Sequence, residues 1–191
     1  MRIKLSVRNK IFCLSLFSCL WAGTVIGQSH EEAIPIGKTV TTQINCSNNP
    51  GGIEAYDATI SLLEILRGTD ALDLLKKADS SIMKPEDEYE YLLARVSFKM
   101  KARGAPGDKT YDLDRPLQFT AFSTDFEEYE SPTVVLPKPQ LKRTVAADQY
   151  VEGWIALKIM KKDKQPLLMF DPSSGGAWSR GKILFFRLYN K

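Results

Sequence analysis

The chain has 191 residues, 43% of them hydrophobic and 26% charged, with a formal net charge of +3. That length bounds it to one domain with a short extension, and the ordinary composition excludes collagen-like, wholly disordered and multi-pass membrane proteins. One histidine and three cysteines leave no Ser-His-Asp triad and no Cys/His zinc site to be assembled within one chain.

Residues 1–10 carry Arg2, Lys4, Arg8 and Lys10 and no acid, and residues 11–27 carry no charge. A basic start followed by a short apolar run is the pattern of an export signal. It is short for a membrane-spanning helix, which needs about 20 apolar residues. Val25 and Gly27 suit the small-residue positions of a cleavage site, so the spacing predicts a signal peptide over 1–27 and a secreted product beginning at Gln28. A second reading stays open. Leu16-Phe17-Ser18-Cys19 resembles a lipobox, which would make Cys19 the lipidated residue and anchor the protein at the cell surface. A third is a retained N-terminal anchor.

Cleavage also changes the charge. Lys and Arg fall from 26 to 22 while Asp and Glu stay at 23, leaving about −1. The basicity belongs to the leader, so no nucleic-acid partner is expected. A membrane is expected only through the N-terminal segment. Cys46 would be the one cysteine left, read as a small residue buried beside a turn.

Residues 28–35 read as a flexible, polar lead-in to a domain over 36–191. Residues 36–42 are rich in β-branched residues and predict a first strand. Residues 45–52 (NCSNNPGG) are turn chemistry. In residues 53–66, Tyr56, Ala58, Ile60 and Leu62 alternate with Asp57, Thr59 and Ser61, which predicts a strand. Its end, 62–66, reads equally as strand or helix. Residues 69–80 form the one good helix. Thr69 or Asp70 is its expected cap, and Ala71, Leu72, Leu74, Leu75 and Ala78 are its apolar face. Residues 81–90 read as a charged loop, with Glu90 placed to meet a cation. Residues 91–102 predict a central strand with one wet face: Leu93, Arg95, Ser97, Lys99 and Lys101 face one way, and Leu92, Ala94, Val96, Phe98 and Met100 the other.

Residues 103–114 read as a loop and 116–124 as a strand. The proline-rich stretch 129–139 has at best a short strand around Val134. A strand centred on 151–159 follows, then a charged turn over 161–166 and a short apolar piece at 167–170. A Gly/Ser loop over 171–180 precedes a closing strand at 182–189. Seven or eight short strands with one inserted helix near 70–79, and no βαβ alternation, predict an all-β immunoglobulin-like sandwich.

Three stretches resemble a bacterial family of secreted proteins and lipoproteins with an immunoglobulin-like domain of unknown function, of the Gram-positive type. The first runs from Glu64-Ile65-Leu66-Arg67-Gly68-Thr69-Asp70-Ala71 through the helix and Pro85 to Tyr89-Glu90-Tyr91-Leu92-Leu93. The second is Glu152-Gly153-Trp154-Ile155-Ala156-Leu157. The third is Trp178 with Phe185-Phe186-Arg187-Leu188. The resemblance spans roughly residues 36–189. The chain departs from it at Asp79 and Ile82, where members often carry Asn. It implies an immunoglobulin-like fold and an envelope location, and no reaction.

Candidate chemistry is sparse. His30 lies in the lead-in. The acidic groups Asp108/Asp112/Asp114 and Asp125/Glu127/Glu128/Glu130 lack the order of a calcium loop and read as solvated charge, as do Glu86, Asp87 and Glu88. No cofactor and no resident metal are expected. Trp154, Trp178, Tyr150 and Phe186 are the aromatics available to a carbohydrate-binding face. Trp154 reads as core, and Trp178, in the Gly/Ser loop, is the best candidate for exposure and binding. The expected function is a non-catalytic exported module that binds a protein or an envelope component. The alternative is a sandwich that binds or processes cell-wall carbohydrate.

Overall fold

A computed structural model describes residues 32–47, 52–104, 109–113, 118–141, 144–173 and 181–190. The described residues form an all-β sandwich with one helix. Its elements are β1 (Thr39–Ser47), β2 (Ile53–Arg67), α1 (Thr69–Ala78), β3 (Tyr89–Ala102), β4 (Thr110–Asp112), β5 (Phe119–Phe122), β6 (Glu128–Tyr129), β7 (Thr144–Ala146), β8 (Tyr150–Met160), β9 (Leu167–Phe170) and β10 (Leu184–Arg187). The large sheet runs β1-β2-β3-β8, the second sheet β10-β9-β5-β6, and β4 pairs with β7. Every strand pair is antiparallel. Among the described residues ten strand segments stand where seven or eight were expected. The additions are β4, β6 and β7, only two or three residues each, too short for any period to show in sequence.

The core lies between the two main sheets, as period-two patterning requires. Tyr56, Ala58, Ile60 and Leu62 of β2 and Leu92, Ala94, Val96, Phe98 and Met100 of β3 supply one side. Ala121, Leu168, Phe170 and Phe186 supply the other. Phe98 sits at the meeting point, stacked on Tyr111 at 5.7 Å between ring centroids and tilted against Phe170 at 6.1 Å.

The ambiguity at 62–66 has a physical origin. The β2–β3 register shifts between Leu62 and Glu64. This bulge moves the core-facing set from even to odd positions, so Ile65 packs on the core after Leu62. An extra residue in a strand spaces two inward side chains three apart, which imitates a helical period.

Helix α1 forms where expected, with a different start. Gly68 is its N-cap residue, at φ 65°, and no side chain caps the helix. Gly68 still belongs to the sheet through its amide bond to the Tyr91 carbonyl, while its own carbonyl accepts from Leu72. Only glycine turns a strand into a helix this abruptly at such a φ, so neither Thr69 nor Asp70 is left to cap. Ala71 and Leu75 are buried, whereas Ala78 is exposed. The helix lies on the outer face of the large sheet. It buries Leu93, Trp154 and Ala156 in a second cluster. The face of β3 expected to be wet is therefore covered at its Leu93 end and open at Lys99 and Lys101.

Ala33 and Ile34, read from sequence as lead-in, are part of the sandwich. Ala33 is buried, and Ile34 bridges Phe186 in parallel, with amide bonds Ile34 to the Phe185 carbonyl and Arg187 to the Ile34 carbonyl. An apolar Ala-Ile pair beside the free edge of β10 is favoured there by burial and by satisfying that edge. No helix among the described residues is long and apolar enough to cross a membrane.

Candidate functional site

The helix side of the large sheet carries two open concave surfaces. β8 is an edge strand, and residues 130–141 run along it as a strap. The Lys158 amide bonds the Glu130 carbonyl and the Trp154 amide bonds the Pro139 carbonyl. Gln140 makes a parallel bridge to Trp154. The strap takes no strand assignment at Val134, where sequence allowed a short one, because its three prolines at 132, 137 and 139 cannot donate to a ladder. It still alternates: Val134 and Leu136 pack into the second cluster, and Val135 points outward, 48% exposed.

Two grooves flank the strap. The first has a volume of about 570 Å³ and is lined by Met83, Lys84, Pro85, Glu86, Asp87, Tyr91, Glu130, Pro132 and Lys158. Met83 is 80% exposed. Lys158 Nζ lies 3.6 Å from carboxylate oxygens of both Glu86 and Glu130 and 5.2 Å from the Tyr89 ring centroid. Burial works against the Lys158 charge, yet the two carboxylates hold its pKa above the ordinary lysine range. The Glu86 carboxylate is held below its ordinary range, first by its own backbone amide and then by Lys158. Two acidic groups about forty residues apart in sequence thus meet across one cation. The second groove, about 420 Å³, is lined by Leu74, Lys77 and Ala78 of α1 and by Val135, Leu136, Pro137, Lys138 and Gln140.

A second polar constellation sits on the open part of the same sheet. Arg95 bonds Glu152 at 2.5 Å and approaches Glu64 at 3.7 Å. Tyr150, 57% exposed, donates its hydroxyl to Glu152 at 2.7 Å.

Two titratable groups, Asp163 and Tyr56, are paired inside the fold. Asp163 accepts from the Thr124 amide and hydroxyl, the Tyr129 hydroxyl and the Gln165 amide. Tyr56 donates to Glu54 at 2.8 Å and accepts from the Lys109 amide. Burial, with help from Glu54, pushes its phenol up to about 12. Cys46 is a buried free thiol with Sγ 3.8 Å from the Met100 sulfur.

Of the aromatics offered for a carbohydrate face, Trp154 is 4% exposed in the second cluster and Phe186 lies in the main core. Tyr150 is at the surface. Trp178, Cys19, His30, Asp108 and Asp114 lie outside the described residues. Asp125, Glu127 and Glu128 are exposed, and among the described residues no group of three or more His, Cys, Asp or Glu is placed to hold a metal ion. Glu90 meets a cation, Arg67, as its position suggested. Sequence reasoning missed Met83, Lys77, Val135, Lys138 and Lys158 as groove residues. The one signal available was the run Val134-Val135-Leu136 between prolines, since an extended chain cannot bury three successive side chains on one side.

No protein-family model matches the chain, and no curated protein matches it. Among solved structures, the chain is similar to MPT63, a secreted protein from Mycobacterium tuberculosis, at 11% identity over 81% of this chain and 97% of that one, with a TM-score of 0.47. It is similar to the yjhA protein from Bacillus subtilis at 12% identity over 80% and 98%, TM-score 0.46. It is also similar to a functionally unknown protein from Listeria monocytogenes EGD-e at 10% identity over 84% and 93%, TM-score 0.40.

Proposed function

We propose that this protein is an exported, non-enzymatic binding module of the cell envelope, allied to the secreted and lipoprotein family with immunoglobulin-like domains, and that the helix side of its large sheet makes the contacts. The observation that carries the reading is the pair of open grooves on either side of the 130–141 strap. Both combine residues of the strap, which is a loop, with a sheet strand or α1, and loops held on a rigid scaffold are the usual position of binding residues. Methionine and aromatic side chains are favoured in interface centres, and the first groove presents Met83 and Tyr91. The export assignment is supported by the basic-then-apolar start of the chain.

A photocrosslinking residue at Met83 or Val135 tests this in intact cells, with Thr41 and Lys101 as exposed controls. Adducts from the groove positions alone are expected. Adducts from the controls alone would move the contact surface elsewhere, and turnover of a hydrolase substrate panel by the purified protein would remove the non-enzymatic assignment.

The second reading is carbohydrate binding at the cell wall, favoured by Tyr150 standing exposed beside Glu152 and Arg95. A flat aromatic ring next to planar polar groups suits a sugar. Sedimentation with purified peptidoglycan that is unaffected by Tyr150→Ala and by Trp178→Ala would remove both residues as its platform.

A further inference from the structure

We propose that the groove at the end of α1 binds a segment of a partner protein in which apolar side chains adjoin carboxylates. The inference deepens the binding-module reading and rests on it. The floor is apolar, made by Leu74, Ala78, Val135, Leu136 and Pro137. Its rim carries Lys77, in the last turn of α1, and Lys138 on the strap. Both lysines are exposed, and no ion pair joins either one to a described residue. No carboxylate lines this groove.

The neighbouring groove shows the contrast. There the cation Lys158 is satisfied internally by Glu86 and Glu130. At the end of α1 two like charges flank one apolar surface, and no described carboxylate forms an ion pair with either. An occupant that covers the floor removes apolar surface from water. One that also presents carboxylates pairs with the two cations across the interface, whereas a cationic occupant meets repulsion. A volume of about 420 Å³ accommodates a few side chains, within the ordinary range for binding pockets.

The test uses methyl-labelled protein and two pools of decapeptides with the same Leu, Val and Phe content. One pool carries Asp and Glu, the other Lys and Arg. The acidic pool should shift the methyl signals of Leu74, Val135 and Leu136, with binding that weakens as salt rises. Lys77→Gln combined with Lys138→Glu should weaken it by about tenfold or more, because one favourable charge contact is lost and the other becomes repulsive. Both sites are exposed, so the melting curve should not move, which separates lost contacts from lost fold.

Equal shifts by the cationic pool, affinity unchanged in the double variant, or no shift at about 1 mM acidic peptide, the range of weak complexes, would each overturn the proposal. So would decanoate shifting these methyls where the peptides do not, since that would make the occupant an amphiphile. Peptide shifts confined to the Met83 methyl, in the neighbouring groove, would overturn this inference and leave the binding-module reading intact. Silence at both grooves, together with failed crosslinking from Met83 and Val135, would remove both.

Discussion

A Cβ placed on Gly153 would stand 1.9 Å from the backbone nitrogen of Leu141. The strap that lines both grooves therefore lies on β8 at the one point where β8 lacks a side chain. Gln140 comes next, its carbonyl carbon 2.4 Å from the same Cβ position. Because these atoms are backbone, they cannot swing aside as a side chain would. Gly153→Ala should push the strap away from β8, break the Trp154 amide bond to Pro139 and loosen Leu136 in the second cluster. A cost of about 3 kcal/mol is expected, at the upper end of single-site effects. For a domain of this size that lowers Tm by roughly 6–12 °C. A melting curve within a degree of the parent would show that the strap is not seated there.

This contact also shows how much was legible in the sequence. The apolar strand around Gly153 was readable from its pattern, and so were β2 and β3, because each alternates over many residues. Helix α1 was readable from its apolar spacing. The start of α1 was not, because the deciding residue, Gly68, acts through a backbone bond to Tyr91, 23 positions away. The grooves were not legible either. Lys158, Glu86 and Glu130 meet only after β3 pairs with β8 and the strap folds back along β8. Their residue types and spacings along the chain carry no sign of that meeting, which is why both acidic runs read simply as solvated charge.

Arg67 should matter more than Arg95, although both are paired to glutamate on the same sheet. Arg67 bonds Glu90 through Nε and donates through Nη2 to the carbonyls of Met160, Lys161 and Asp163. It thus ties the end of β2 to the turn after β8. A lysine lacks the planar fork that serves these acceptors together. Arg67→Lys should cost about 2 kcal/mol, the scale of losing charge-assisted hydrogen bonds. Arg95, whose side chain is a third exposed with Glu152 and Glu64 as partners, should cost no more than about 1 kcal/mol on replacement by alanine, as surface pairs do. Urea unfolding of the two variants gives the order, and a reversed order would show that the turn contacts of Arg67 contribute little.

Cys46 should be inert in the folded protein. Burial, and secondarily the Glu54 charge, pushes its thiol up to about 12, and the thiolate is the reactive form. At pH 8 the native protein should take up no iodoacetamide at Cys46, while the denatured chain should be modified in full. Peptide mapping after a timed exposure reads this directly. Rapid native labelling would place the β1 end of the core open to solvent.

Asp163 should make stability fall in acid. Burial works to raise its pKa, but the bonds from Thr124, Gln165 and Tyr129 outweigh it and hold the carboxyl below its ordinary range. A group whose pKa is depressed by folding contributes stability above its unfolded pKa, near 4, and loses that contribution as pH falls through the folded value. The parent should therefore weaken progressively below about pH 4, and Asp163→Asn should flatten that dependence. At pH 7 the Asn variant should be less stable by about 2 kcal/mol, because an amide nitrogen faces donors that need an acceptor. Tyr129→Phe removes one of the donors and leaves the Thr124 and Gln165 bonds in place, so its cost should be nearer 1 kcal/mol. Urea unfolding of the three proteins from pH 2.5 to 7 checks both points. An Asn variant that loses stability in acid as steeply as the parent would assign the acid sensitivity to other carboxylates.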